Sequence, residues 1–544
     1  MLAYTTLIFA SVAATAAAGQ SLSPKVAALG YATYQSTLSP DPGVTSFLGI
    51  RYAAPPTGQF RWKAPQPPAT IKGIQNATQP ALQCFQSGSL TGSAGAAITN
   101  RFRKSPAFPS GDHNRGKRLQ TRDTDGFSDE DCLFLNVHTP TASTADSRLP
   151  VIVYMHGGGY DAGNISLYPT QDFVSLSRLG VVAVSIQYRL GVFGFLAGED
   201  VKQGGDLNAG LLDQNFGLQW VQKYISVFGG DPAKVTIWGQ SAGAGSILQH
   251  IVAHGGNTRP ALFRAALANS PFLPFQYQYN DPIPETLYSN VVAHVNCSQS
   301  SNSLQCLRSA AASALTDADT QIGFASFMGT YTFVPVVDGT FIVERPSVTL
   351  NRGQRNGDAL LVTTNSNEGA FFFVFPDVLT VNNFTLTEYI TQLFPRLTTQ
   401  QINIAVGLYS NIGLATVSDQ ATKIMGESIF VCPAYWMVKA FGKSGWKGEF
   451  AIPPGLHAED LSYEFMTFAI PPTFTDPGFL NAYRQSFLST AISLNPNDQL
   501  KPTLLQTWPS WTGHDVEMLF NQTEGGAPVV ETISTDKELL QRCA

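Results

Sequence analysis

A serine with glycines two residues to either side, Gly239-Gln240-Ser241-Ala242-Gly243, follows an apolar β-rich run at 235–238 and opens into residues able to start a helix. A Cβ at either glycine would crowd a tight strand-to-helix turn. Such a turn lifts the hydroxyl clear of the sheet and sets the N–H groups of the helix N-terminus behind it. Ser241 is therefore a candidate nucleophile. The pentapeptide is short, so its weight depends on the groups that could serve it.

A serine hydroxyl is a weak nucleophile until a base takes its proton, and a histidine oriented by a carboxylate is the usual base. After a strand–turn–helix nucleophile the chain order is Ser, then Asp or Glu, then His. Of eight histidines, His113, His138 and His156 precede Ser241, and His250, His254 and His294 follow too closely to leave room for a strand and an acid. His457, on a loop after a short strand at 449–452, is the candidate base. His514 lies in a polar turn and reads as a surface residue. Glu368 follows a strand expected at 358–364 and is the candidate acid at the same sheet edge. Asp358 stands at the wrong end of that strand, and Asp338-Gly339 reads as a turn.

The same chemistry needs donors for a developing oxyanion. His156-Gly157-Gly158-Gly159 ends another apolar strand, Leu149–Met155, and its glycines can turn N–H groups inward. Gly158, Gly159 and Ala242 are the candidate donors. His250 and His254 have metal-ligand spacing, but Ile251 stands where a zinc-protease motif needs Glu, so no metal is expected. No phosphate- or dinucleotide-binding glycine loop is present, and no cofactor is expected.

The elements that must hold these groups are apolar strands, at 149–155, 180–188, 235–238 and 358–364, alternating with helical stretches such as 210–228. That alternation predicts an α/β fold, a mostly parallel sheet covered on both faces, with its site at the carboxyl ends of the strands. The chain has 544 residues but no Gly/Ser- or Pro-rich linker. We read one large domain, 19–544, with long loop insertions. Charged residues make up 13% and the net charge is −6, which argues against a nucleic-acid partner.

Residues 2–18 carry no charge and end in Ala16-Ala17-Ala18, the pattern of a secretory signal peptide at 1–18. No other stretch is long and apolar enough to span a bilayer. A secreted, extracellular product is expected. Six cysteines, Cys84, Cys132, Cys297, Cys306, Cys432 and Cys543, fit three disulfides among fifteen possible pairings, with Cys297 and Cys306 close enough to close a small loop. Sequons at Asn76, Asn164, Asn296, Asn383 and Asn521 agree with secretion. Residues 85–131 are polar, with a basic run of Arg101, Arg103, Lys104, Arg115, Lys117, Arg118 and Arg122, and read as a surface loop.

Six motifs together resemble the type-B carboxylesterase family, which includes cholinesterases and some secreted lipases: 47–58 (FLGIRYAAPPTG), 128–136 (SDEDCLFLN), 156–159 (HGGG), 208–214 (NAGLLDQ), 228–232 (FGGDP) and 239–243 (GQSAG). The resemblance spans roughly residues 25–540. It implies an α/β-hydrolase fold and a Ser241–Glu368–His457 triad with Gly158, Gly159 and Ala242 as oxyanion donors. It pairs Cys84 with Cys132, Cys297 with Cys306 and Cys432 with Cys543, sets Arg61 against Glu130, and places Phe371 and Phe372 on the wall of the substrate gorge. Gln240 stands where the family often has Glu, and Arg51 where proline is common. Residues 85–131 hold no Trp or Tyr, so the aromatic face that a choline ester needs is missing there. The loop is also mostly polar, which suits a lipase lid poorly.

The expected activity is a serine esterase acting on a small-molecule or lipid ester. A true lipase and a non-catalytic binding protein on the same fold are the rivals. The sequence leaves acyl and alcohol specificity and oligomeric state open.

Overall fold

The computed structural model describes residues 24–38, 42–87, 128–327, 330–372 and 384–544. The leader expected at 1–18, the basic residues at 101–122 and Asn383 lie outside the described residues. Thirteen strands form one connected sheet. They are β1 (Val26–Ala28), β2 (Thr33–Leu38), β3 (Val44–Arg51), β4 (Ile74–Ala77), β5 (Phe134–Pro140), β6 (Leu149–Met155), β7 (Val182–Ile186), β8 (Gly230–Gln240), β9 (Ala265–Asn269), β10 (Ala359–Asn365), β11 (Gly445–Phe450), β12 (Val516–Gln522) and β13 (Pro528–Ser534). Their spatial order is β1-β2-β3-β5-β7-β6-β8-β9-β10-β11-β12-β13, with β4 beside β2. The run from β7 to β12 is parallel throughout, and the remaining pairs are antiparallel except β2 with β4, which is parallel.

The central strands are apolar on both faces because helices cover both. On β6, Val151, Val153 and Met155 enter one core while Ile152 and Tyr154 enter the other, as the two-residue period of a strand requires. Helices α1 (Ala209–Tyr224) and α2 (Ala242–Gly256) pack Leu211, Leu218, Ile247 and Ile251 into the first core. Helix α3 (Cys432–Phe441) joins them there through Ala434, Met437 and Val438. Helix α4 (Pro477–Ser493) packs Phe479, Tyr483 and Phe487 into the second. The expected helix at 210–228 divides at Tyr224, continuing as a 3-10 turn over Ile225–Phe228. The strand expected at 180–188 is shorter, because the Gln187 N–H turns to the Phe134 carbonyl and Tyr188 leaves the ladder to bond His156.

After β6 the chain turns to β7 on one side, then crosses back to β8 on the other. The order reverses there, so the carboxyl ends of β6 and β8 part and leave a crevice between them. The glycine run at 157–159 and Ser241 leave the sheet at that point.

Disulfides join Cys84 to Cys132, Cys297 to Cys306 and Cys432 to Cys543. The departure at Arg51 has a structural reason. Its guanidinium forms a two-pronged pair with Asp131, at 2.5 and 2.7 Å, beside Cys132, and lies over the Phe134 ring. A proline there would leave Asp131 without that partner. Arg61 pairs with Glu130 through two bonds of 2.6 Å and donates to the carbonyls of Leu307, Arg308 and Ala310. Of the sequons, Asn76 and Asn296 are exposed, whereas Asn164 and Asn521 are half-buried, and the Asn164 amide nitrogen already donates to Gln83 at 2.7 Å.

Candidate active site

Ser241 adopts φ 57° and ψ −125°, a strained conformation for a residue with a Cβ. Its neighbours explain how the strain is held. A Cβ on Gly243 would strike the Met155 carbonyl, and one on Gly239 would stand 2.5 Å from the Gly243 carbonyl carbon. Only glycine lets β8, the turn and α2 approach this closely. The Ser241 N–H donates to Asn269 on β9 (2.9 Å), and its carbonyl accepts from Gly245 (2.8 Å). The turn is thereby tied to the neighbouring strand on one side and to its own helix on the other.

The imidazole of His457 bridges the remaining groups. Its Nε2 stands 2.8 Å from Ser241 Oγ, and its Nδ1 stands 2.6 Å from Glu368 Oε2. The other carboxylate oxygen of Glu368 accepts the Asn365 N–H at 2.7 Å. Ser241, Glu368 and His457 are 9%, 2% and 5% exposed, so the series is shielded from bulk water. Glu368 follows β10 and His457 follows β11, two parallel strands that pair directly, which brings their loops to one edge.

Gly158 and Gly159 have φ of 116° and 67°, left-handed values that aim the loop back toward α2. Neither N–H has an acceptor among the described residues. Ala242 opens α2, where the first N–H groups of a helix have no acceptor within it. The glycine loop lies against the turn: a Cβ on Gly157 would stand 3.2 Å from Ser241 Cβ. His156 is a brace for this loop. Its ring stacks on Tyr188 at 4.4 Å, its carbonyl accepts from Tyr188 Oη at 2.7 Å, and burial lowers its pKa to about 4.

The helical histidines are bonded to other side chains. The amide of Gln214 donates to Ser246 Oγ, which donates to the Ala242 carbonyl. Gln214 Oε1 must therefore accept from His250 Nε2 at 3.1 Å, which makes His250 a neutral donor. Burial holds its pKa down at about 3. His254 is exposed and bonds Thr258. Asp338 caps the turn at Thr340, Phe341 and Ile342, and His514 is exposed.

Phe371 and Phe372 lie 5.8 and 5.4 Å from the His457 ring. A third ring is closer and went unread in the sequence. Phe430 stands 4.4 Å from the imidazole and stacks on Phe372 at an interplanar angle of 11°. It projects from a π-helical turn, Glu427–Val431, between two α-helical segments. Phe430 lies 27 residues before His457, and no local motif announces that turn. Glu427, on the same turn, is buried and pairs with Arg542 at 2.7 and 2.8 Å, and Cys543 is bonded to Cys432 at the start of α3.

The carboxylesterase family profile matches residues 32–529. Lipase 4 of Diutina rugosa is 30% identical over 504 residues, covering 86% of each chain. Secreted lipase 1 of Botryotinia fuckeliana is 34% identical over 362 residues, a match that spans 64% of this chain and 60% of that protein. Among solved structures, EstA of Aspergillus niger superposes with a TM-score of 0.79 at 28% identity, covering 96% of this chain and 97% of its own. The fold is that of the α/β-hydrolases, and the chain belongs to the carboxylesterase family of carboxylic ester hydrolases.

Proposed function

We propose that this protein hydrolyses carboxylic esters through an acyl-enzyme on Ser241. His457 Nε2 takes the hydroxyl proton as Oγ attacks the ester carbonyl. Glu368 holds Nδ1 protonated and stabilises the imidazolium that forms. The N–H groups of Gly158, Gly159 and Ala242 receive the oxyanion, and removing one such donor typically raises the barrier by ~3–4 kcal/mol. His457 then protonates the departing alcohol, and water repeats the sequence to release the acid. Phe371 and Phe372 wall the substrate space beside the imidazole.

The unbroken series Ser241 Oγ–His457–Glu368, at 2.8 and 2.6 Å, carries this reading. It also favours the catalytic reading over a purely binding one. Ser241→Ala should fold as the parent does and lose hydrolysis of p-nitrophenyl butyrate by about ten-thousandfold or more. Fluorophosphonate labelling should disappear with it. A variant that keeps a tenth of the parent rate would reject the assignment.

The names of the relatives favour a second reading, a lipase acting on acylglycerols. Rates measured below and above the solubility limit of tributyrin separate the two, because only interfacial activation gives an abrupt rise there. We further infer a leader at 1–18, a single domain over 19–544, and a secreted product glycosylated at some of its sequons. The three disulfides and the secreted relative support that location. No described helix is long and apolar enough to cross a membrane.

A further inference from the structure

Asn365 closes β10, three residues before Glu368, and its polar atoms reach both halves of the base-and-acid pair. Its backbone N–H donates to Glu368 Oε1 at 2.7 Å. Its side-chain Nδ2 donates to the Leu456 carbonyl at 2.6 Å, the peptide next to His457, and to Asp460 Oδ1 at 3.3 Å. The Leu456 carbonyl can only accept, so the amide has one possible orientation. That orientation leaves Asn365 Oδ1 buried without a partner. The side chain is held as a donor at the expense of its own acceptor.

Asp460 lies three residues after His457 and is fully buried. Its Oδ2 also accepts from Asn269 Nδ2 at 3.2 Å and from Tyr483 Oη at 3.4 Å. Asn269 is fixed as a donor too, since its Oδ1 accepts from Trp238 Nε1 at 2.8 Å. Its carbonyl holds the Ser241 N–H. One dry network therefore meets the elements carrying Ser241, Glu368 and His457. The ionisable groups facing Asp460 are Glu368, His457, Glu464, Tyr154, Tyr168 and Tyr483. Burial, then the nearby Glu368 charge, raises the Asp460 pKa to about 6.

We propose that Asn365 is a positioning residue for ester hydrolysis, its amide tying the loop of the base to the strand end of the acid. It touches no substrate and acts through the Glu368–His457 contact, so the proposal rests on the triad reading above. Asn365→Leu keeps the volume and removes the donor. Asn365→Asp keeps the shape but sets a carboxyl against two acceptors, where it can donate only when protonated.

Rates are measured on p-nitrophenyl butyrate and divided by sites titrated with a fluorophosphonate, so that misfolded protein does not count. Asn365→Leu should lower kcat at least roughly tenfold, with KM changing less than about threefold. For Asn365→Asp, the ratio of variant to parent kcat should rise on going from pH 8 to pH 6, as the new carboxyl takes up a proton. A residue that only stabilises the fold would leave that ratio flat. If Asn365→Leu yields no folded protein, the ratio for Asn365→Asp decides. A flat ratio, or an Asn365→Leu kcat within threefold of the parent, overturns the proposal. Ser241→Ala measured alongside tells which idea has failed. If it is inactive while both Asn365 variants behave as the parent does, only the role of Asn365 falls.

Discussion

The two sides of the site are made of different material. On the nucleophile side, backbone does the work: glycines at 158, 159, 239 and 243, N–H groups, and a serine held at φ 57°. On the base side, side chains do it: Asn365 and Asp460 below the imidazole, and three phenylalanine rings around it. A backbone-built surface has no slack, because a single added carbon meets a main-chain atom. A side-chain-built surface can give way by rotamer shifts, so its residues should tune the rate where the glycines decide it.

Gly243→Ala tests the rigid half most severely. Its methyl would strike the Met155 carbonyl and push β6 and the turn apart. Since a misplacement of about 1 Å can lower rates about a hundredfold, kcat/KM of folded Gly243→Ala should drop on the order of 10²-fold. A drop within threefold would erase the contrast. Phe430→Leu tests the softer half. It keeps an apolar filler against the imidazole, so kcat should fall only by roughly three- to tenfold. A loss as large as that of Gly243→Ala would show that the aromatic wall is as unyielding as the turn.

The smallest effect concerns stability beneath the rigid half. Asp161 leaves the glycine loop and is buried close to Asp319, on the helix Ala312–Ala325, whose Oδ2 accepts the Val192 N–H. Burial raises the Asp319 pKa from 3.8 to about 7. The folded protein thus retains a proton that the unfolded chain releases. That contribution is complete below about pH 4 and lost as pH rises through about 7. Asp319→Asn keeps the acceptor for Val192 without the ionisation, so the fall in Tm from pH 5 to pH 8 should shrink by a few degrees. Identical Tm–pH curves for the two proteins would show that the carboxyl is ionised when folded.

The contrast also explains which parts were legible in the sequence. Glycines whose absence of a side chain is the whole point stand in short local motifs at strand ends, so Ser241 and the proposed donors Gly158 and Gly159 could be placed from local pattern. Glu368 and His457 followed from where strands end. The base side was harder because its contacts join segments far apart. Phe430 approaches the imidazole only because a π-helical turn rotates it inward. The Asn365 donor meets Leu456 and Asp460 across 91 and 95 residues. Arg51 remained unexplained until Asp131 stood opposite it. Packing across such distances leaves no periodicity to read.

The brace on Phe430 has a consequence for synthesis. Arg542 and Cys543 secure the turn and the helix that hold this ring against the imidazole. A nascent polypeptide that has not yet emerged past residue 542 can already contain the three reacting groups, yet Glu427 then lacks its Arg542 partner and Cys432 its disulfide. In such an unfinished molecule the ring would be held less firmly until the helix Lys537–Cys543 docks.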